Sequence, residues 1–408
     1  MNMDDPYLKS IIIQQYLFGY ELPDTIILLT DSGHLLFMAT KKKCEFMQAA
    51  VDNRPRSSKI TKITLLERNK EDSNAQNYSI LMNEVKSSRD GLEDKDKVKI
   101  GVFTKEWDDN TKTKNPLVSG WQGQIDDESE TIEKVDVSSA VGFVMMIKDA
   151  TELDCMKKSS VLSNKVLKHL FIPKLEDVID KEISITHEDL AEEVNGTIEE
   201  PSKIKLKVPS DIVRTAYYPI IQSGGQHDIR LSATSNDQPL KYDVITVSFG
   251  ATYQNYCSNI ARTFLIDPPK EVSDTYETLL AVHDACLSAM KPGNTLKTVY
   301  AAALQKLDDE GRKDLVKKLP KNLGFAIGID FRDSALTLSS KNNAKFQTGM
   351  TFNLCVGFSD IELSSKAKAS VKDGSAVSVV FFLLTKNSIF FFYIPTILNV
   401  LLIFFIAI

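Results

Sequence analysis

The chain is poor in the residues that build reactive or metal-binding clusters. It has 5 cysteines and 5 histidines among 408 residues. Cys44, Cys155, Cys257, Cys286 and Cys355 lie far apart, and no Cys-x-x-Cys pair occurs. That spacing excludes a zinc ribbon and gives no disulfide framework. An odd, scattered set fits buried free thiols in a reducing compartment. His34, His169, His187, His227 and His283 are equally dispersed. The HExxH helix, the GxSxG elbow and the Walker loop are all absent. Bulk positive charge is missing too. The net charge is −6, which argues against a nucleic-acid-binding domain held by overall charge. The opening residues, MNMDDPYLKS, hold no apolar leader.

What remains is ordinary globular composition, with 43% hydrophobic and 25% charged residues. The length suits two or three domains. Over residues 1–148, strands alternate with helices, which predicts an α/β lobe. Helices are expected at 1–20, 41–51, 74–85 and 138–147. Strands are expected at 25–30, 35–39, 62–68, 98–104 and 134–137, the first two forming a hairpin around Asp31-Ser32-Gly33. A polar stretch with Trp107 and Trp121 precedes an acidic run, Asp126-Asp127-Glu128 and Glu130. That run reads as a solvated loop or as a contact for a basic partner.

Residues 149–385 read as α+β, with long helices covering an antiparallel sheet. A helix begins near Asp149 with Thr151 as its cap. Its apolar pattern continues from 153 to 178 and breaks near Pro173. A short helix follows at 187–193, and residues 217–237 look loop-like around a Gly224-Gly225 turn. Residues 242–267 are two long strands and a return, rich in β-branched and aromatic residues. Ser248, Asn255, Ser258 and Asn259 interrupt them, and buried polar groups need partners or a ligand. Helices are expected at 270–290 and 296–310, and strands near 324–331, 350–358 and 377–384. His283 lies on an apolar helical stripe and reads as a satisfied core histidine. His227-Asp228 reads as a surface-loop pair, because no nucleophile phrase accompanies it. Residues 386–408 are a separate apolar tail. From 388 onward it has no charged residue over about the length that spans a bilayer. The tail is expected to be a transmembrane segment or the product of a faulty gene model.

The phrase Tyr253-Gln-Asn-Tyr256-Cys257-Ser258-Asn259-Ile260-Ala261-Arg262-Thr263 resembles the pita-bread metallopeptidases: methionine aminopeptidase, prolidase and creatinase. A nearer resemblance is to the N-terminal, peptidase-like domain of the large subunit of FACT, the eukaryotic histone chaperone. It is carried by Leu17-Phe18-Gly19-Tyr20-Glu21-Leu22-Pro23-Asp24-Thr25, by Ile220-Ile221-Gln222-Ser223-Gly224-Gly225 and by Ser235-Asn236-Asp237. Gly328-Ile329-Asp330-Phe331-Arg332-Asp333-Ser334 and Phe352-Asn353-Leu354 add to it. The resemblance covers residues 1 to about 371. It implies an α/β N-terminal lobe plus an α+β pita-bread lobe. That family's domain starts earlier and continues into middle histone-binding domains and an acidic tail, so the chain is expected to be a truncated copy.

The peptidases hold two metal ions with two aspartates, a histidine and two glutamates. The resemblance carries these onto Ser248, Asn259, Phe325 and Cys355, with the last glutamate on a closing strand not located in the sequence. A hydroxyl, an amide, a phenyl ring and a thiol do not make a dinuclear site. The expectation is therefore no catalytic residue, no cofactor and no metal. The implied role is a non-catalytic histone- or peptide-docking module of FACT, acting on nucleosomes during transcription, DNA replication and DNA repair. Implied partners are histones, the HMG-box subunit in a heterodimer, and nucleosomal DNA indirectly. The implied location is the nucleus and chromosome. A residual metal-dependent aminopeptidase and a membrane-anchored pseudo-peptidase are the alternatives.

Overall fold

The computed structural model describes residues 7–52, 60–87, 97–110, 115–225, 227–228, 232–361 and 380–389. The chain divides into two compact units, residues 1–143 and 144–408.

The first unit is built around its second strand. α1 (Lys9–Phe18) leads to a hairpin of β1 (Ile26–Leu29) and β2 (His34–Ala39). Gly33 makes the turn with φ +82, a region that glycine occupies without a Cβ penalty. α2 (Lys41–Asp52) carries the chain over to β3 (Lys62–Glu67), which pairs parallel to β2. Every residue of β2 is buried. Its side chains alternate between two cores, as the period of a strand requires. Leu36 and Met38 join Leu81, Trp121 and Ile125, whereas Phe37 and Ala39 join Leu22, Cys44 and Met47. α3 (Ala75–Ser87) then precedes β4 (Val98–Val102). The stretch around the two tryptophans is not merely polar. It forms α4 (Thr104–Asn110) and α5 (Pro116–Asp127). Asn115 caps α5 by accepting from the Leu117 amide, and Pro116 fits the first turn, where no N–H is needed. β5 (Ile132–Asp136) pairs parallel to β4, and α6 (Ser138–Met145) follows.

The second unit begins with α7 (Ala150–Val166), capped by Asp149 rather than Thr151. Asp149 accepts from the Glu152 amide while the Glu152 carboxylate accepts from the Asp149 amide, a reciprocal capping box. A π-helical turn, Leu167–Phe171, joins α7 to α8 (Ile172–Asp180). Pro173 explains it: proline has no N–H for the residue one turn back, and the wider turn absorbs the mismatch. α9 (His187–Glu199) runs six residues beyond the expected end at 193. β6 (Val213–Gln222) occupies part of the stretch read as loop.

β6 pairs antiparallel with β7 (Val244–Tyr253), which also pairs with β8 (Tyr256–Cys257) and β9 (Ile260–Leu265). Gly250 lets these strands approach: a Cβ there would stand 2.1 Å from the Ser258 carbonyl oxygen. α10 (Lys270–Ala289) and α11 (Lys297–Asp309) bury Leu279, Val282, Val299 and Leu307 in the core of a second sheet. That sheet has the order β11-β10-β12-β13: β10 is Asn322–Ala326, β11 is Asp333–Ser339, β12 is Thr351–Ile361 and β13 is Val380–Ile389. β11 was not foreseen, because its DSALTLS pattern is half polar. β13 overlaps the strand expected near 377–384, runs five residues beyond it, and closes this sheet. It pairs with β12 from Thr351↔Ile389 to Ile361↔Val380, so Ser388 and Ile389 belong to a strand and not to the apolar tail. Residues 390–408 lie outside the described residues. Among the described residues, no helix is long and apolar enough to cross a membrane.

Candidate functional site

The four positions that would carry metal ligands come from three strands and the β8–β9 connection. Ser248 is on β7 and is 5% exposed; Asn259 precedes β9 and is 1% exposed. Phe325 is on β10 and Cys355 on β12. The structure joins the first two through a residue that the sequence reading missed. Tyr217 of β6 places its hydroxyl 2.5 Å from Ser248 Oγ and 2.5 Å from Asn259 Oδ1. The amide oxygen only accepts, so the phenol donates to Asn259. Its proton is then used, and Ser248 donates to the phenol oxygen. Burial drives the Tyr217 phenol far above its ordinary pKa, opposed by the Ser248 hydrogen bond. It is a neutral hydroxyl at every physiological pH.

Aromatic rings fill the adjacent space. The Phe331 ring lies 5.1 Å from Tyr217 and 5.7 Å from Phe325, centroid to centroid. The Arg332 guanidinium sits 5.4 Å from the Phe325 centroid, in cation–π range. Cys355 completes the group. Burial pushes its thiol up to about 12, with Arg332 pulling weakly the other way. A thiol held there is protonated at neutral pH, and only the thiolate is a good ligand or nucleophile. Asn353, two residues back on β12, shares the Cys355 face by strand alternation. It is fully buried, and among the described residues neither of its amide atoms has a hydrogen-bond partner.

These groups do not fit a pair of divalent cations. Two cations so close together need anionic oxygens between them. The positions offer a hydroxyl and an amide already bonded to a phenol, a ring, and a protonated thiol. The closing strand adds nothing: β13 reads VFFLLTKNSI, without an acidic residue, and Thr385 is the register partner of Cys355. Among the described residues, no group of three or more His, Cys, Asp or Glu is placed to hold a metal ion.

One further reading changes, and a second buried histidine emerges. His227 is not a surface-loop histidine. It is 8% exposed, with Nε2 3.1 Å from the Val244 carbonyl oxygen. Burial drops its pKa to about 4. His187 is also buried, its Nδ1 2.6 Å from Asn236 Oδ1 and its Nε2 2.7 Å from Ser223 Oγ. The Asn236 oxygen needs a donor, so Nδ1 carries the proton and the Ser223 hydroxyl donates to Nε2. This relay resembles a hydrolase triad but is sealed. The Ser223 oxygen also accepts from the Lys241 amide, and Ser223 is 5% exposed. It fastens the Gly224-Gly225 turn to the start of α9. His283 is buried, with Nδ1 3.5 Å from Asp284.

Comparison with known proteins bears on the fold and the family. Residues 1–140 match the sequence family described as the FACT complex subunit SPT16 N-terminal lobe domain, and residues 154–379 match metallopeptidase family M24. The FACT complex subunit SPT16 of Dictyostelium discoideum is 35% identical over 362 residues, covering 88% of this chain and 32% of that protein. The Saccharomyces cerevisiae subunit is 32% identical over 387 residues, covering 90% of this chain and 36% of that protein. This chain thus spans about a third of the length of these curated relatives. A solved N-terminal domain of SPT16 from Cicer arietinum superposes with a TM-score of 0.82 at 32% identity, covering 93% of this chain and 84% of that one. The X-Pro aminopeptidase of Thermotoga maritima superposes with a TM-score of 0.59 at 17% identity, covering 92% and 88%, and shares the fold alone. The architecture is therefore an α/β N-terminal lobe followed by a pita-bread lobe, and the chain belongs to the family of the FACT complex subunit SPT16.

Proposed function

We propose that the chain is a non-catalytic docking module of the FACT complex that takes histones or their tails. The observation that carries the non-catalytic part is Tyr217. Its hydroxyl bonds to both Ser248 and Asn259, where the peptidases place metal-binding aspartates. The docking part rests on family membership, with its relatives named as FACT subunits. As part of such a subunit, the chain would serve a histone chaperone that reorganises nucleosomes during transcription, DNA replication and DNA repair. It would work in the nucleus, on the chromosome, beside the HMG-box subunit.

The acidic run contributes less to histone binding than its sequence suggests. Asp126 is paired with Lys134 at 2.5 Å and Glu128 with Lys86 at 2.7 Å. Asp127 and Glu130 remain exposed. A pull-down of core histones by the immobilised chain tests the proposal. Retention at physiological salt that fades as salt rises is expected, because surface charge pairs are screened. No histone retained at physiological salt contradicts it.

A further inference from the structure

One edge of the second unit carries positive charge without compensation. Residues 285–307 and 334–359 contain no Asp or Glu, although the chain has 55 acidic residues. The two segments meet in space. The Gly293 amide donates to the Phe346 carbonyl, the Phe346 amide to Asn294, the Leu296 amide to Ala344, and the Lys297 amide to Asn342. Thr295 and Lys345 form an antiparallel bridge. Residues 291–297 and 341–347 thus lie side by side as a short ribbon, held by four backbone hydrogen bonds and one bridge, with Lys297 opening α11.

The core decides which way its side chains point. Met290, Leu296 and Phe346 are buried in the core of the second unit. Each has a lysine next to it in sequence, Lys291, Lys297 and Lys345 in turn, and Lys341 lies at the start of the second segment. Lys291, Lys297, Lys341 and Lys345 are all exposed. None of the four is paired with a carboxylate among the described residues. The ribbon itself is held firmly: Asn342 donates to the Ala335 and Thr337 carbonyls, and Asn294 donates to Ala289.

We propose that this ribbon is a sequence-independent contact for the phosphate backbone of duplex DNA. Its chemistry favours phosphates over an acidic peptide. Peptide recognition uses apolar anchors or pockets. No large hydrophobic side chain is exposed in either segment. The groups on offer are four lysines, the exposed amides Asn343 and Gln347, and the exposed Thr348 hydroxyl. Lysine, asparagine, glutamine and threonine side chains are the types that contact phosphate without reading bases. Overall charge does not forbid this, because phosphate contacts are local and the Debye length is about 8 Å at physiological salt. The inference is independent of the docking proposal, which concerns histones.

The test is a fluorescence-anisotropy titration of a labelled 20-base-pair duplex, at 50 to 200 mM KCl, with the full chain. Four phosphate contacts predict a slope of log K against log salt of about −3.6, or roughly 150-fold weaker binding across that range. The variant K291Q/K297Q/K341Q/K345Q is expected to lose most of this slope and most of the affinity. A control with the same charge change on exposed lysines elsewhere, K62Q/K165Q/K205Q/K207Q, is expected to keep both. The proposal is overturned if the chain does not bind the duplex at 50 mM KCl. It is equally overturned if the control loses as much as the ribbon variant, or if poly-glutamate of matched charge binds more tightly than the duplex.

Discussion

Tyr217→Phe is the sharpest perturbation of the filled site, because it removes one oxygen and leaves the ring packed on Phe331. Two hydrogen bonds disappear, to Ser248 and to Asn259. Each is worth about 1 kcal/mol net. Stranding the buried acceptor of Asn259 adds roughly 1 kcal/mol, discounted because Asn259 keeps further interactions. The expected loss is about 2–3 kcal/mol. With a urea m-value of about 2.5 kcal/mol/M, the midpoint of the second unit falls by about 1 M. The probe matters. Both tryptophans, Trp107 and Trp121, lie in the first unit. Tryptophan fluorescence therefore follows that unit and should not shift, whereas far-UV circular dichroism follows both. Ser248→Ala alone should also destabilise, and the double variant should cost less than the sum, since both remove the same bond. A loss below about 0.5 kcal/mol for Tyr217→Phe, or strict additivity, refutes the claim that this hydroxyl completes the site.

Three more outcomes follow from the same geometry. Gly250→Ala drives a methyl into the Ser258 carbonyl at 2.1 Å and should prevent stable folding of the second unit, read by loss of its unfolding transition; a variant as stable as the parent refutes the close approach. His227 is held neutral, with its pKa near 4 in the folded state against about 6.5 unfolded. The unfolded chain binds the extra proton between those values, so stability is full above pH 6.5 and falls toward pH 4, by about 3 kcal/mol for this group; His227→Gln should flatten that limb, and an unchanged limb counts against its burial. Cys355 and Cys286, with thiols pushed up to about 12, should stay unlabelled by a thiol reagent at pH 7.5 in the folded chain and label readily in urea; rapid native labelling of Cys355 would show its thiol to be accessible.

The hairpin β7–β9 was legible in the sequence because its apolar alternation is long and its polar interruptions match a known phrase. The α/β pattern of the first unit was legible for the same reason: its strands and helices are separated by clear breaks. β6 was not, since Pro219 and the Gly224-Gly225 turn beside it look like loop, yet its Val213 and Ile221 are buried in one core with Leu190, Val194 and Ile198 of α9. Tyr217 was lost with it, so the degenerate ligand positions could be named but not the group that satisfies them. β13 was only partly visible because VFFLLTKNSI merges into an apolar run with no periodicity of its own. The burial of His227 and the pairing of Asp126 and Glu128 are tertiary facts. Local sequence shows which groups are polar, but not what covers or pairs them.

In the proposed reading the peptidase site has lost its metal chemistry and is closed by Tyr217. Metal analysis of the purified chain, after incubation with manganese, cobalt or zinc and desalting, tests it most directly. No stoichiometric metal is expected with any of the three ions, because none of the positions supplies an anionic oxygen. Two equivalents per chain, with cleavage of an aminoacyl-proline or methionyl peptide, would contradict it.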